Sequence, residues 1–97
     1  MSHKETISQQ HTALIKVISN SHRMNIIAVL GRAKHDMCVN QIADAVGISQ
    51  SLASHQLAYL TARNIVTGYR MGQTTCYILA DNVDVKKIKK IVTVLTQ

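Results

Sequence analysis

Apolar positions recur along this chain with a helical period near both ends and through the middle. Ile7, His11, Leu14, Ile15 and Ile18 fall at i, i+4, i+7, i+8 and i+11, which predicts a helix over about residues 4 to 19 with these five on one face. His11 on that face reads first as a packed core or subunit-interface histidine and second as a ligand. Ser19, Asn20 and Ser21 offer caps for a second helix over residues 21–34, apolar nearly all round and so expected to be central, with Gly31 as its terminator. Met37-Cys38-Val39 is a short β-type run. Near the C-terminus Val85, Ile88, Ile91, Val92 and Leu95 form one stripe of a helix starting near Asn82, while Lys86, Lys89 and Lys90 project elsewhere.

Between these segments lies the most informative pattern. Residues 41–46 predict a two-turn helix with Ile42, Ala43 and Val46 inward; Gly47 supplies a turn, Ile48 plugs it, and Ser49 caps a helix running to about Arg63. Helix, glycine turn and helix at this spacing form a helix-turn-helix, whose second helix enters the DNA major groove. Ala53, Leu57 and Leu60 face the core. Gln50, Ser51, Ser54, His55 and Ala58 take the other side, small or hydrogen-bonding and without the Lys and Glu of an ordinary solvated face. Such a face can approach base edges closely.

Residues 65–70 and 74–79 alternate as strands around Met71-Gly72-Gln73, a hairpin placed as a wing directly after the recognition helix. Arg70 and Gln73 near its tip are candidates for phosphate or minor-groove contact; otherwise they are exposed hairpin residues. The 97 residues allow a single domain over 1–97, with the recognition helix at about 49–63 and the wing at about 65–79. A chain this short buries about 60–65% of its unfolded surface and is marginal as a monomer. The apolar stripes of the first and last helices therefore suggest a homodimer built through them.

Charge narrows the partner. Eleven Lys and Arg stand against five acids, a formal charge of +6 that favours double-stranded DNA. The acids Glu5, Asp36, Asp44, Asp81 and Asp84 are scattered, which argues against paired-carboxylate hydrolysis. No phosphate loop, nucleophile elbow or His-Glu-x-x-His is present, so no enzyme and no cofactor are expected. Without Phe or Trp the chain does not suit base stacking on single strands. Residues 1–12 lack a signal-peptide core and no apolar run suits a membrane, so a cytoplasmic location is expected.

Taken together, Met37-Cys38-Val39-Asn40-Gln41-Ile42-Ala43, Gly47-Ile48-Ser49-Gln50-Ser51, Ser54-His55-Gln56-Leu57 and the wing ending Tyr77-Ile78-Leu79 resemble the ArsR/SmtB family of bacterial winged-helix repressors over about residues 13 to 92. The resemblance implies a mainly α fold with a small antiparallel β wing, and a homodimer on a palindromic operator, released when a metal, metalloid or oxidant occupies a sensor site. It places Gln50, Ser51, Ser54 and His55 on bases and Ser49 and Arg70 on the backbone. The family's zinc ligands on the last helix are not retained: the start reads Asp81-Asn82-Val83 and the later positions fall on Val94 and Gln97. Its Cys-Val-Cys pair reads Cys38-Val39-Asn40. His3, His11, His22 and His35 sit at no recognisable ligand spacing, so no metal site is assigned.

The winged-helix frame also pairs the strand before the helix-turn-helix with the second wing strand. Val39 and Tyr77 then point to the core, and Cys38 and Cys76 to the opposite face, close enough for a reversible disulfide. Two small side chains without a sensing role are the competing reading. Beside the repressor stand two alternatives: a winged-helix protein-interaction or dimerisation module, and a metal-responsive repressor with a non-standard site.

Overall fold

The computed structural model describes residues 6–97, which form five helices and a three-stranded antiparallel sheet. Helix α1 covers Gln9–Ile18 and starts later than its periodicity predicts. Residues 6–8 are irregular because Ser8 is extended and its hydroxyl accepts from the His11 N–H at 3.2 Å, which fixes the first turn there. The predicted positions 4 and 5 lie outside the described residues. Asn20 caps α2, Ser21–Arg32, in the same way.

Gly31 does not terminate α2. The helix runs through it to Arg32, because Gly31 does not take the left-handed φ of a helix stop; a Cβ there would make ordinary contact, at 3.4 Å, with the flexible Lys89 side chain.

Strand β1 is Met37–Cys38, and Val39 already opens α3, Val39–Val46. The side-chain carbonyl of Gln41 accepts from the Cys38 N–H at 2.9 Å, which starts this helix two residues earlier than the sequence pattern gives. Gly47 takes the left-handed φ of 79° that ends it, and Ser49 caps α4, Gln50–Ala62. Strands β2, Val66–Met71, and β3, Thr74–Leu79, are joined by Gly72 and Gln73 alone, so Met71 belongs to the strand. Helix α5, Val83–Leu95, is capped by Asn82.

The sheet order is β1-β3-β2, which places Cys76 in the central strand. Ile26, Ile27, Ile42, Leu57, Leu60, Ile65 and Ile88 form a core that α2 crosses centrally. At about 25 cal/mol per Å² of apolar surface, each side chain of this size contributes about 1.5–3 kcal/mol. The stripe of α5 is divided: Val85, Ile88 and Val92 enter this core, whereas Ile91 and Leu95 are exposed. On α1 it is Val17, off the predicted stripe, that is buried, while Ile15 is exposed. The radius of gyration is 14.4 Å, against about 12–13 Å for a compact chain of this length, in keeping with terminal helices and a wing that project.

Candidate nucleic-acid interface and thiol pair

Helix α4 divides by burial as its sequence pattern predicts. Ala53, Leu57 and Leu60 are fully buried, while Ser49, Gln50, Ser51, Ser54, His55 and Ala58 are exposed. The Ser49 hydroxyl accepts from the Leu52 N–H at 3.0 Å and so satisfies one of the orphan donors of the first turn. This leaves a helix N-terminus flanked by short uncharged side chains, open to solvent. Arg70 and Gln73 are exposed on the wing, Arg70 opposite Thr75 in the ladder and Gln73 in the two-residue connection. The structure brings the five α4 positions and the Ser49 cap onto one helix face, while Arg70 and Gln73 lie on the wing.

Across the sheet, Tyr69, Cys76 and Cys38 form one row, each directly opposite the next, and Cys38 and Cys76 are joined by a disulfide. Met37 and Tyr77, paired across the ladder, pack on the core from the other face, which follows from strand alternation, and Val39 at the start of α3 packs there as well. The thiol face is nevertheless not open: Cys76 is buried and Cys38 half-buried. Tyr69 donates its hydroxyl hydrogen to Asp36. That hydrogen bond, with some loss of solvent and the nearby negative charge, pushes the Tyr69 phenol above its ordinary pKa of 10.0. Cys38 on β1 therefore has two attachments: β3, through sulfur and the ladder, and the start of α3, through its N–H.

The family model described as "Bacterial regulatory protein, arsR family" matches residues 20–67, from the cap of α2 into β2. A Synechocystis protein described as a transcriptional repressor SmtB homolog is 32% identical over 75 residues, covering 77% of this chain and 55% of the relative. This chain belongs to the ArsR/SmtB family. Members of the family are transcriptional regulators, not enzymes.

The chain spans about half the length of the curated relatives it matches. Among solved structures, HlyU from Vibrio cholerae superposes with a TM-score of 0.79 at 24% identity, covering 97% of this chain and all of that one, which bears on fold alone. A homodimeric winged helix-turn-helix DNA-binding domain from Mycobacterium bovis superposes with a TM-score of 0.70 at 25% identity, covering 96% and 90%.

Two further features of this ArsR/SmtB chain bear on its chemistry. A groove of about 490 Å³ runs between α1 and α5, walled by Ile7, Leu14, Ile15, Ile18, Ile88 and Ile91. His11 stands on its edge with Nε2 3.0 Å from Lys87 Nζ, so the predicted stripe residue faces this groove and not the core. Among the described residues no three His, Cys, Asp or Glu side chains lie close enough together to hold a metal ion. His22 and His35 stand apart, and His3 lies outside the described residues. No described helix is long and apolar enough to cross a membrane.

Sequence reasoning missed Asp36, Tyr69 and Gln56. Strand alternation could have put Tyr69 beside the cysteines, since it shares their face. Gln56 gave no such signal: it is the buried polar side chain of α4, and its partner, Arg23, is 33 positions away.

Proposed function

We propose that this chain is a single winged helix-turn-helix domain over residues 1–97 that represses transcription as a cytoplasmic homodimer on palindromic double-stranded DNA. The observation that carries the reading is the exposed, uncharged face of α4, with Gln50, Ser51, Ser54 and His55 beside the Ser49 cap. Amide, hydroxyl and imidazole groups at a helix N-terminus read base edges in the major groove, and the +6 charge supplies attraction to phosphate. Ser49, Arg70 and Gln73 fix register on the backbone. A second copy covers the α1–α5 groove and places two recognition helices in successive major grooves, about 34 Å apart. The homodimeric relative from Mycobacterium bovis supports that assembly.

A second layer rests on the Cys38–Cys76 bond. We infer that this pair is a reversible switch. Two thiols give two electrons and two protons to a peroxide, the S–S bond forms, and the peroxide leaves as two waters. The bond ties the wing to the residue just before the helix-turn-helix, so its state bears on how α3 and the wing are held together.

The test is fluorescence anisotropy on duplex DNA from upstream of the coding region, with thiol-reduced protein and with peroxide-treated protein. Tight binding when reduced that is lost on oxidation, and that persists in Cys38→Ser, supports the switch. Binding that ignores peroxide removes the switch and leaves the repressor. Absence of sequence-specific binding in both states removes the repressor and favours a protein-interaction module.

A further inference from the structure

The Arg23 side chain on α2 makes more specific connections than any other surface-reaching group described so far. Its Nε donates to the Val17 carbonyl at 2.8 Å and one Nη to the Lys16 carbonyl at 3.1 Å, both in the last turn of α1; the Lys16 carbonyl also accepts from Ser19. The other Nη donates to Gln56 Oε1 at 3.2 Å on α4, and the guanidinium carbon lies 4.0 Å from the centre of the Tyr59 ring. Arg63 stacks on the same ring at 3.4 Å, so close that the two guanidinium groups must occupy opposite faces. Arg63 also donates to the Tyr59 carbonyl at 3.2 Å. Gln56 is buried, and without Arg23 the acceptor that this hydrogen bond satisfies would lose its partner.

These contacts join two segments with different tasks. The end of α1 belongs to the helix that walls the groove, and Gln56 and Tyr59 belong to α4, within about a turn and a half of Ser54 and His55. Planar, forked and always charged, an arginine can meet three acceptors in one plane while stacking on a ring; a lysine meets them as a point charge and cannot. We propose that Arg23, held by Gln56 and Tyr59, is the positioning residue that sets the angle between α1 and α4. It thereby fixes the separation of the two recognition helices in the dimer. This rests on the reading of α4 as the recognition helix and of the α1–α5 groove as the dimer face.

Spacing and local recognition separate cleanly in an experiment. A randomised duplex library is first selected with the wild-type chain; from the selected sequence, one duplex with a single half-site and a series with two half-sites at varied spacing are made. Arg23→Lys keeps the charge and is followed by circular dichroism and sedimentation, so that fold and dimer are checked in the same samples. Single half-site affinity is expected to stay within about twofold, while affinity for the two-half-site duplex at the wild-type spacing falls roughly tenfold, the size of one lost base contact. The optimum spacing is expected to broaden or shift.

Tyr59→Leu, which removes the stack and leaves the carbonyl acceptors of α1, is expected to do the same, and Tyr59→Phe to behave as wild type. If Arg23→Lys does not fold, the Tyr59 pair decides. Variants that bind both duplexes as wild type does, or that lose both equally, overturn the positioning role. A wild-type chain that selects no sequence overturns the DNA-binding reading itself.

Discussion

Tyr69 on β2 donates its hydroxyl hydrogen to Asp36, two residues before Cys38, and so closes a link on the sheet face that carries the disulfide. The hydrogen bond favours the protonated phenol, as do the loss of solvent and the Asp36 charge. A phenol whose pKa is raised by folding contributes stability below its unfolded pKa of about 10 and loses that contribution as pH rises through the higher folded value. Tyrosinate absorbance, taken as the difference between wild type and Tyr69→Phe, should therefore show Tyr69 ionising above the ordinary range. Asp36→Asn should move it back down. An unchanged titration in Asp36→Asn would separate the raised value from this contact.

The disulfide closes a loop between positions 38 apart. Restricting the unfolded chain by a loop of that size is worth about 3–4 kcal/mol in the chain-entropy picture. A reductant should lower the urea midpoint of the wild-type protein correspondingly and steepen the slope, since the freed unfolded chain exposes more surface. Cys38→Ser should unfold at the reduced midpoint and ignore the reductant. Equal midpoints with and without reductant would mean that the bond contributes nothing net.

The core of the helix-turn-helix was legible because its signals are local and agree: Gly47 at a left-handed turn, Ser49 as a cap, and Ala53, Leu57 and Leu60 at helical spacing. Misreadings gather where a local signal meets a tertiary one. The apolar period of α1 extends back through Ile7, yet Ser8 starts the helix at Gln9. Gly31 reads as a stop but keeps a helical backbone, and α2 ends at Arg32 with the Ala33 N–H bonded to the Val29 carbonyl. The α5 stripe looked uniform, since periodicity cannot tell an apolar face buried in its own domain from one left for a partner. The disulfide was within reach through strand register, which the winged-helix frame supplies. The Arg23–Gln56–Tyr59 joint was not, because nothing in the spacing of residues 23, 56 and 59 marks them as neighbours.

The two apolar walls of the α1–α5 groove give a prediction for assembly. Ile15 and Ile91 are 47% and 44% exposed on the isolated chain, too much apolar surface to leave uncovered beside Ile7 and Leu14. Ile15→Lys or Ile91→Lys should turn the proposed dimer into a monomer in sedimentation equilibrium. Since both side chains lie outside the core, the thermal unfolding of the resulting monomer should stay cooperative. A dimer that survives both substitutions would place the interface elsewhere.

Ser54 and Arg70 stand on different elements, the helix and the wing, and the difference predicts two kinds of loss. Ser54 is exposed on α4, and on the proposed reading it meets base edges, so Ser54→Ala should cost about 1–3 kcal/mol in binding and relax the preference at one position of each half-site. Arg70 is exposed on β2 near the wing tip and would meet phosphate. Arg70→Ala should weaken binding to every sequence alike and reduce the slope of log K against log salt by about one. Neither change removes a buried group, so stability should move by no more than about 0.5 kcal/mol in either variant. Anisotropy titrations over a salt series, on the selected duplex and on a scrambled one, resolve both effects in a single set. A uniform loss for Ser54→Ala, or a sequence-dependent loss for Arg70→Ala, would reverse the two roles and move base reading from the helix to the wing.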